Sequence, residues 1–170
     1  MENKFEYNGV DDQSSHLKTS WIAEGIKNDE PVEWAKAFAE HLVMEKENNP
    51  LHHLMWKGKF DYYDKDHKKP KFRKTLSTTQ LRKFFGDLKS LEANTSIENF
   101  NVARIKMMKP KLAYAVGREK SPEPKIKDLY VEFERAIDAI SEYRHFKNFI
   151  QLFEAVVAYH KFYENHSQNN

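Results

Sequence analysis

The sequence predicts an all-α fold, a single compact bundle of about five main helices. Three observations carry this. Only 5 of 170 residues are glycine, too few for the frequent tight turns of a sandwich or barrel. Apolar residues recur at i, i+3, i+4 and i+7 over long stretches. One segment, Leu76-Ser-Thr-Thr-Gln-Leu81, is a sharp helix start.

Taken in order, residues 1–19 are polar and aperiodic, with the run Asp11-Asp-Gln-Ser-Ser15. They read as a flexible N-terminal tail. The helical domain follows over 20–165, with 166–170 as a C-terminal tail. Trp21 to Lys27 predicts a short helix. Asp29 and Pro31 start a longer one, with Val32, Ala35, Ala39, Leu42 and Val43 as its apolar stripe and Phe38 beside it. It should run to about Lys46 and stop before Asn48-Asn49-Pro50.

Residues 50–75 form a basic loop region inside the domain. It contains His52-His53, Trp56-Lys-Gly-Lys59 and the charge-rich run Asp64 to Lys74. Such a run can touch phosphates, but a solvated loop is its plainer reading. At the next helix, Ser77 fits the N-cap and Gln80 completes a capping box, while Leu76 and Leu81 fit a hydrophobic staple. Leu81, Phe84, Phe85 and Leu88 make the buried stripe. Arg82 and Lys83 lie off that stripe near the helix start, where cations oppose the dipole. They therefore become candidates for binding something outside the helix.

Ile97 and Phe100 lead into Arg104–Arg118. This stretch carries Arg104, Lys106, Lys109, Lys111 and Arg118 with no acid among them. Met107, Met108, Leu112, Ala115 and Val116 keep helical spacing. Pro110 predicts a kink or break, and Gly117 a left-handed C-cap. Beyond Pro110, Lys111, Tyr114 and Arg118 share one face at i, i+3 and i+7. Two cations flanking an aromatic suit a polyanion with flat bases; a solvated face beside a core stripe is the plain alternative. Ser121-Pro-Glu-Pro124 breaks the chain and starts the next helix, where Ile126, Leu129, Tyr130, Phe133, Ile137 and Ile140 align. Arg144 to about Asn165 forms the last helix, with Phe146, Phe149, Ile150, Phe153, Val156, Val157 and His160 facing inward.

Net charge is +2, unevenly distributed: Lys57–Lys83 carries +7 and Arg104–Lys120 carries +5, leaving −10 elsewhere. A basic surface apart from an acidic one marks a nucleic-acid candidate. Other chemistry is missing. The absence of cysteine excludes disulfides, a thiol nucleophile and a cysteine zinc site. The eight histidines are scattered, with no His-Glu-x-x-His, and there is neither a Walker loop nor Gly-x-Gly-x-x-Gly. His160 reads as a core histidine rather than a base, and Glu134 and Glu154 have no partner visible in sequence. No catalytic residue, metal ligand or cofactor is expected. No apolar run nears the roughly 20 residues that span a bilayer, and the first residues lack a secretory h-region, so the chain is expected in the cytoplasm.

Three motifs, Leu76-Ser-Thr-Thr-Gln-Leu-Arg-Lys83, Met108-Lys-Pro-Lys-Leu-Ala-Tyr-Ala-Val-Gly-Arg118 and Phe149-Ile-Gln-Leu-Phe-Glu-Ala-Val-Val-Ala-Tyr-His-Lys161, resemble in order and spacing the small helical Csm subunit of type III-A CRISPR effector complexes. The resemblance spans about residues 75–162. It implies a non-catalytic antiviral protein in several copies. These would stack in a short filament beside the Csm backbone subunits and the large polymerase-like subunit, along the guide RNA–target RNA duplex. It implies RNA-facing roles for Lys109, Lys111 and Arg118, and further for Arg82 and Lys83; Tyr114, Arg104 and Lys106 join them from the basic stretch. Contact would be with the target-strand backbone, since guide pairing supplies sequence specificity. The rival classes are a free-standing helical adaptor whose basic face binds an acidic partner and, more remotely, a small nuclease.

Overall fold

A computed structural model describes residues 7, 12–43, 62–64, 69–71, 74–121 and 124–167. Among these are seven α-helices: α1 (Thr19–Glu24), α2 (Glu30–Val43), α3 (Thr78–Ala93), α4 (Val102–Lys106), α5 (Met108–Arg118), α6 (Ile126–Asp138) and α7 (Tyr143–Ser167). The all-α class holds. The longest helix, α7, has neither glycine nor proline in its 25 residues. Its Phe146, Phe149, Ile150, Phe153 and Val156 are buried; each such side chain contributes roughly 1.5–3 kcal/mol. Helices α1, α2 and α3 pack against α7, and α5 packs against α6. Phe133 of α6 meets Phe149 and Phe153 of α7 edge-on, with ring centroids 5.2 and 5.4 Å apart. That geometry suits the aromatic quadrupole.

The α3 start forms as its residues dictate. The Ser77 side chain accepts from the Gln80 N–H, and the Gln80 side chain accepts from the Ser77 N–H. Leu76 and Leu81 are both buried. Leu81 and Leu88 enter the core, whereas Phe84 and Phe85 are half-buried. On α6 the expected stripe is buried except for half-buried Tyr130. In α2 the core face turns toward Trp34 and Phe38, both fully buried with rings stacked 5.0 Å apart, and Val32 is only half-buried. The expected extension to Lys46 lies outside the described residues.

Four expectations are narrowed or corrected. Of the kink or break expected at Pro110, the break is what forms, placed at Met107 between α4 and α5. A helical residue 110 would donate to the carbonyl of Lys106, which proline cannot do, so α4 ends at Lys106 and Pro110 sits in the first turn of α5. Gly117 is not a left-handed cap: it lies inside α5, and the C-cap is Glu119 in extended conformation. Among the described residues the positive-φ glycine is Gly25, which ends α1 at φ 86°.

The third correction concerns Tyr7 and residues 12–19, expected to belong to a flexible N-terminal tail of residues 1–19. Among them, Tyr7, Ser15, His16 and Leu17 are buried. Gln13–Ser15 form a 3-10 turn capped by Asp12. The indole N–H of Trp34 donates to the Ser15 carbonyl at 2.9 Å. The fully buried Glu132 carboxylate accepts from the Tyr7 hydroxyl at 2.9 Å and the Leu17 N–H at 3.1 Å, and lies 2.6 Å from His16 Nδ1. A carboxylate without water needs such partners, and this segment supplies them. Fourth, the 50–75 region is not entirely loop: Tyr62–Asp64 (β1) pairs antiparallel with Lys69–Lys71 (β2), Tyr63 opposite Pro70. A proline is tolerated at the edge of such a two-stranded ribbon. His52-His53 and Trp56–Lys59 lie outside the described residues. Among the described helices none is long and apolar enough to cross a membrane.

Candidate nucleic-acid interface

The basic stretch folds as α4 and α5, and the N-terminal half of α3 faces it across an open groove. On α5, buried Met108 and Leu112 set the inward face. Lys111, Tyr114 and Arg118 therefore share the side turned toward α3. On α3, Gln80, Lys83, Phe84 and Asp87 recur at i, i+3, i+4 and i+7 and form the opposite wall. The groove has a volume of about 510 Å³, and Phe84, Ala115 and Ile126 are apolar residues of its lining.

Its rim is charged. Lys111 Nζ donates to Asp87 Oδ2 at 3.4 Å, with both side chains substantially exposed. Tyr114 is 68% exposed. The Arg118 guanidinium carbon lies 5.6 Å from the centre of the Tyr114 ring, a cation–π contact of about 0.5–1 kcal/mol at an exposed site. Glu119 belongs to the lining as well. Its carboxyl donates nothing; it accepts from Lys74 Nζ at 2.7 Å, and this hydrogen bond holds it below the usual carboxylate range despite partial burial. A second depression of about 340 Å³ adjoins the first through Asp87 and Lys111, and Arg104 and Met107 line it.

Five of the eight expected residues thus border one continuous feature: Lys83, Lys111, Tyr114 and Arg118 on the groove, and Arg104 on the adjoining depression. Arg82 and Lys106 are exposed beside it and line neither part. Lys109 points elsewhere. Its ammonium donates to both Asp138 oxygens at 2.9 and 3.0 Å and lies 3.1 Å from Glu134. The Asp138 hydrogen bond outweighs desolvation and raises the Lys109 pKa. The spacing foreshadows this, because i and i+2 residues point to different sides of a helix.

Gln80, Phe84 and Asp87 were missed as wall residues. Their i, i+4, i+7 spacing is visible in the sequence, but it gives no sign of what α3 faces. The two acids left without partners acquire them: Glu134 accepts from the Tyr130 hydroxyl at 3.0 Å and pairs with Lys109, and Glu154 accepts from Lys89 at 3.0 Å. His160 is fully buried. Its Nε2–H donates to the Leu76 carbonyl at 2.9 Å, and burial is the main cause of its lowered pKa. Among the described residues no group of three or more His, Asp or Glu is placed to hold a metal ion.

No curated protein and no solved structure matches the chain. The family model for Csm2 Type III-A matches residues 59–166, a span that contains α3 through α6, most of α7 and every residue of the groove. With well over half its length matched, the chain belongs to the Csm2 Type III-A family, the small subunits of type III-A CRISPR Csm complexes.

Proposed function

We propose that this protein is the non-catalytic, RNA-binding small subunit of a type III-A Csm effector complex in the prokaryotic cytoplasm, serving antiviral defence. Several copies stack in a short filament beside the Csm backbone subunits and the large polymerase-like subunit. The α3–α5 groove faces the guide RNA–target RNA duplex. Lys83, Lys111 and Arg118 contact target-strand phosphates, and Arg104 extends the contact along the adjoining depression. Arg82 and Lys106 add charge at the margins, while Lys109 serves the α5–α6 contact.

The observation that carries this reading is the convergence of three cations from two helices on one exposed groove, with Arg118 held over Tyr114. Cations so placed bind phosphate irrespective of sequence, which suffices when guide pairing supplies specificity. One copy makes few contacts, and repetition supplies avidity.

The test uses an assembled complex carrying Lys111→Ala with Arg118→Ala. Target-RNA affinity should fall, and the slope of log affinity against log salt should lose about 1 in magnitude per lost contact. Wild-type affinity with an unchanged slope would refute the groove as the RNA face.

A further inference from the structure

We infer that the groove between α3 and α5 receives the base of an unpaired RNA nucleotide, whose phosphate rests on the rim cations. This deepens the RNA-binding reading and rests on it. A phosphate ridge needs only cations on a convex or flat surface. This groove has more: an apolar part of its lining, half-buried Phe84 and Ala115 and buried Ile126, and an aromatic ring, Tyr114, that is largely exposed. Its volume of about 510 Å³ lies within the range of small-ligand sites, which combine an apolar lining with a few polar groups.

The polar groups suit a nucleotide. Asp87 Oδ2 accepts from Lys111 at the wall and offers acceptor capacity to a base amino group. Lys83 and Arg118 line the same groove and supply the cations a nucleotide phosphate needs. Bases within an A-form duplex are stacked on one another and cannot enter a recess. A flipped, bulged or overhanging nucleotide can, and stacking on an aromatic side chain is tolerant of base identity.

Fluorescence anisotropy on the purified full chain tests this with a labelled unstructured single strand and the same strand in a blunt duplex. Tyr114→Ala removes the ring, and Ala115→Leu adds bulk to the apolar lining while keeping every rim cation. Each should lower the ratio of single-strand to duplex affinity by about fivefold or more. Equal losses on both RNAs, or no loss on either, would overturn the base subsite. Should Ala115→Leu disturb folding, the exposed Tyr114 position still decides. Lys111→Ala with Arg118→Ala weakening the duplex would show the phosphate reading standing even where the base subsite fails. Free adenosine monophosphate supplies the same chemistry from another source. Displacement of the single strand by an equal concentration of it would overturn the inference in favour of a mononucleotide site.

Discussion

Lys111 and Asp87 face each other across the groove, Nζ to Oδ2, at 3.4 Å. The acid competes with any phosphate for the same ammonium. Both side chains are well exposed, so the pair itself contributes little to stability, about 0–1 kcal/mol. Asp87→Asn keeps the shape and removes the competing charge. Affinity for a blunt RNA duplex, which offers Asp87 no unpaired base, should rise a few-fold, with thermal stability nearly unchanged. An affinity equal to or below wild type, in a titration at fixed salt, would show that Lys111 does not meet phosphate.

Lys109 should behave differently from Lys111, although both come from the same Lys-Pro-Lys segment. It is anchored by Asp138 and Glu134 on α6. Lys109→Ala should leave the salt slope of RNA binding unchanged and lower stability by no more than about 1 kcal/mol, as expected for a partly exposed pair. A slope reduced as much as in Lys111→Ala would place Lys109 on RNA.

These two lysines show how much was legible in the sequence. Helix faces are local, so the Lys111–Tyr114–Arg118 side and the Ser77 cap could be read from spacing. The α3 wall could not: nothing in Gln80, Lys83 and Asp87 says that α5 lies opposite. Met107 as the break followed from Pro110 only through the missing bond to the Lys106 carbonyl. The buried acids were least legible of all. Asp128 and Glu132 look like exposed charges beside the α6 stripe, yet both are fully buried. Their partners, His41 at 2.6 Å from Asp128 and His16 at 2.6 Å from Glu132, come from residues 116 and 87 positions away in the Glu132 and Asp128 cases respectively.

Leu112 is fully buried beneath the groove. Leu112→Ala should destabilise the protein by roughly 2–5 kcal/mol, the range for a core leucine left as a cavity. Urea denaturation measures it. A loss below about 1 kcal/mol would mean that α5 is not seated on the core as described.

Glu132 ties the N-terminal segment to α6 through Tyr7, His16 and the Leu17 N–H. Glu132→Ala leaves these groups in a buried site without their acceptor. The expected cost is about 3 kcal/mol, accompanied by faster amide hydrogen exchange over residues 12–18. Unchanged exchange there would show that the segment is held by something other than this carboxylate.

His160 makes stability depend on pH. Burial is the main cause that pushes its pKa below the ordinary value of 6.5, against the opposing hydrogen bond to Leu76 and the Glu164 charge. The folded state therefore resists a proton that the unfolded chain accepts. Above about pH 6.5 neither state is protonated at this site and no effect arises. As pH falls below that value the unfolded state binds more protons, so stability declines until the folded histidine titrates as well. His160→Gln preserves an N–H donor for the Leu76 carbonyl and removes the titration. Urea midpoints at neutral pH and in the mildly acidic range should fall less in this variant than in wild type. His16 and His41 are common to both proteins, so the difference in slope belongs to His160. Parallel midpoint curves would mean that the buried histidine titrates alike in both states.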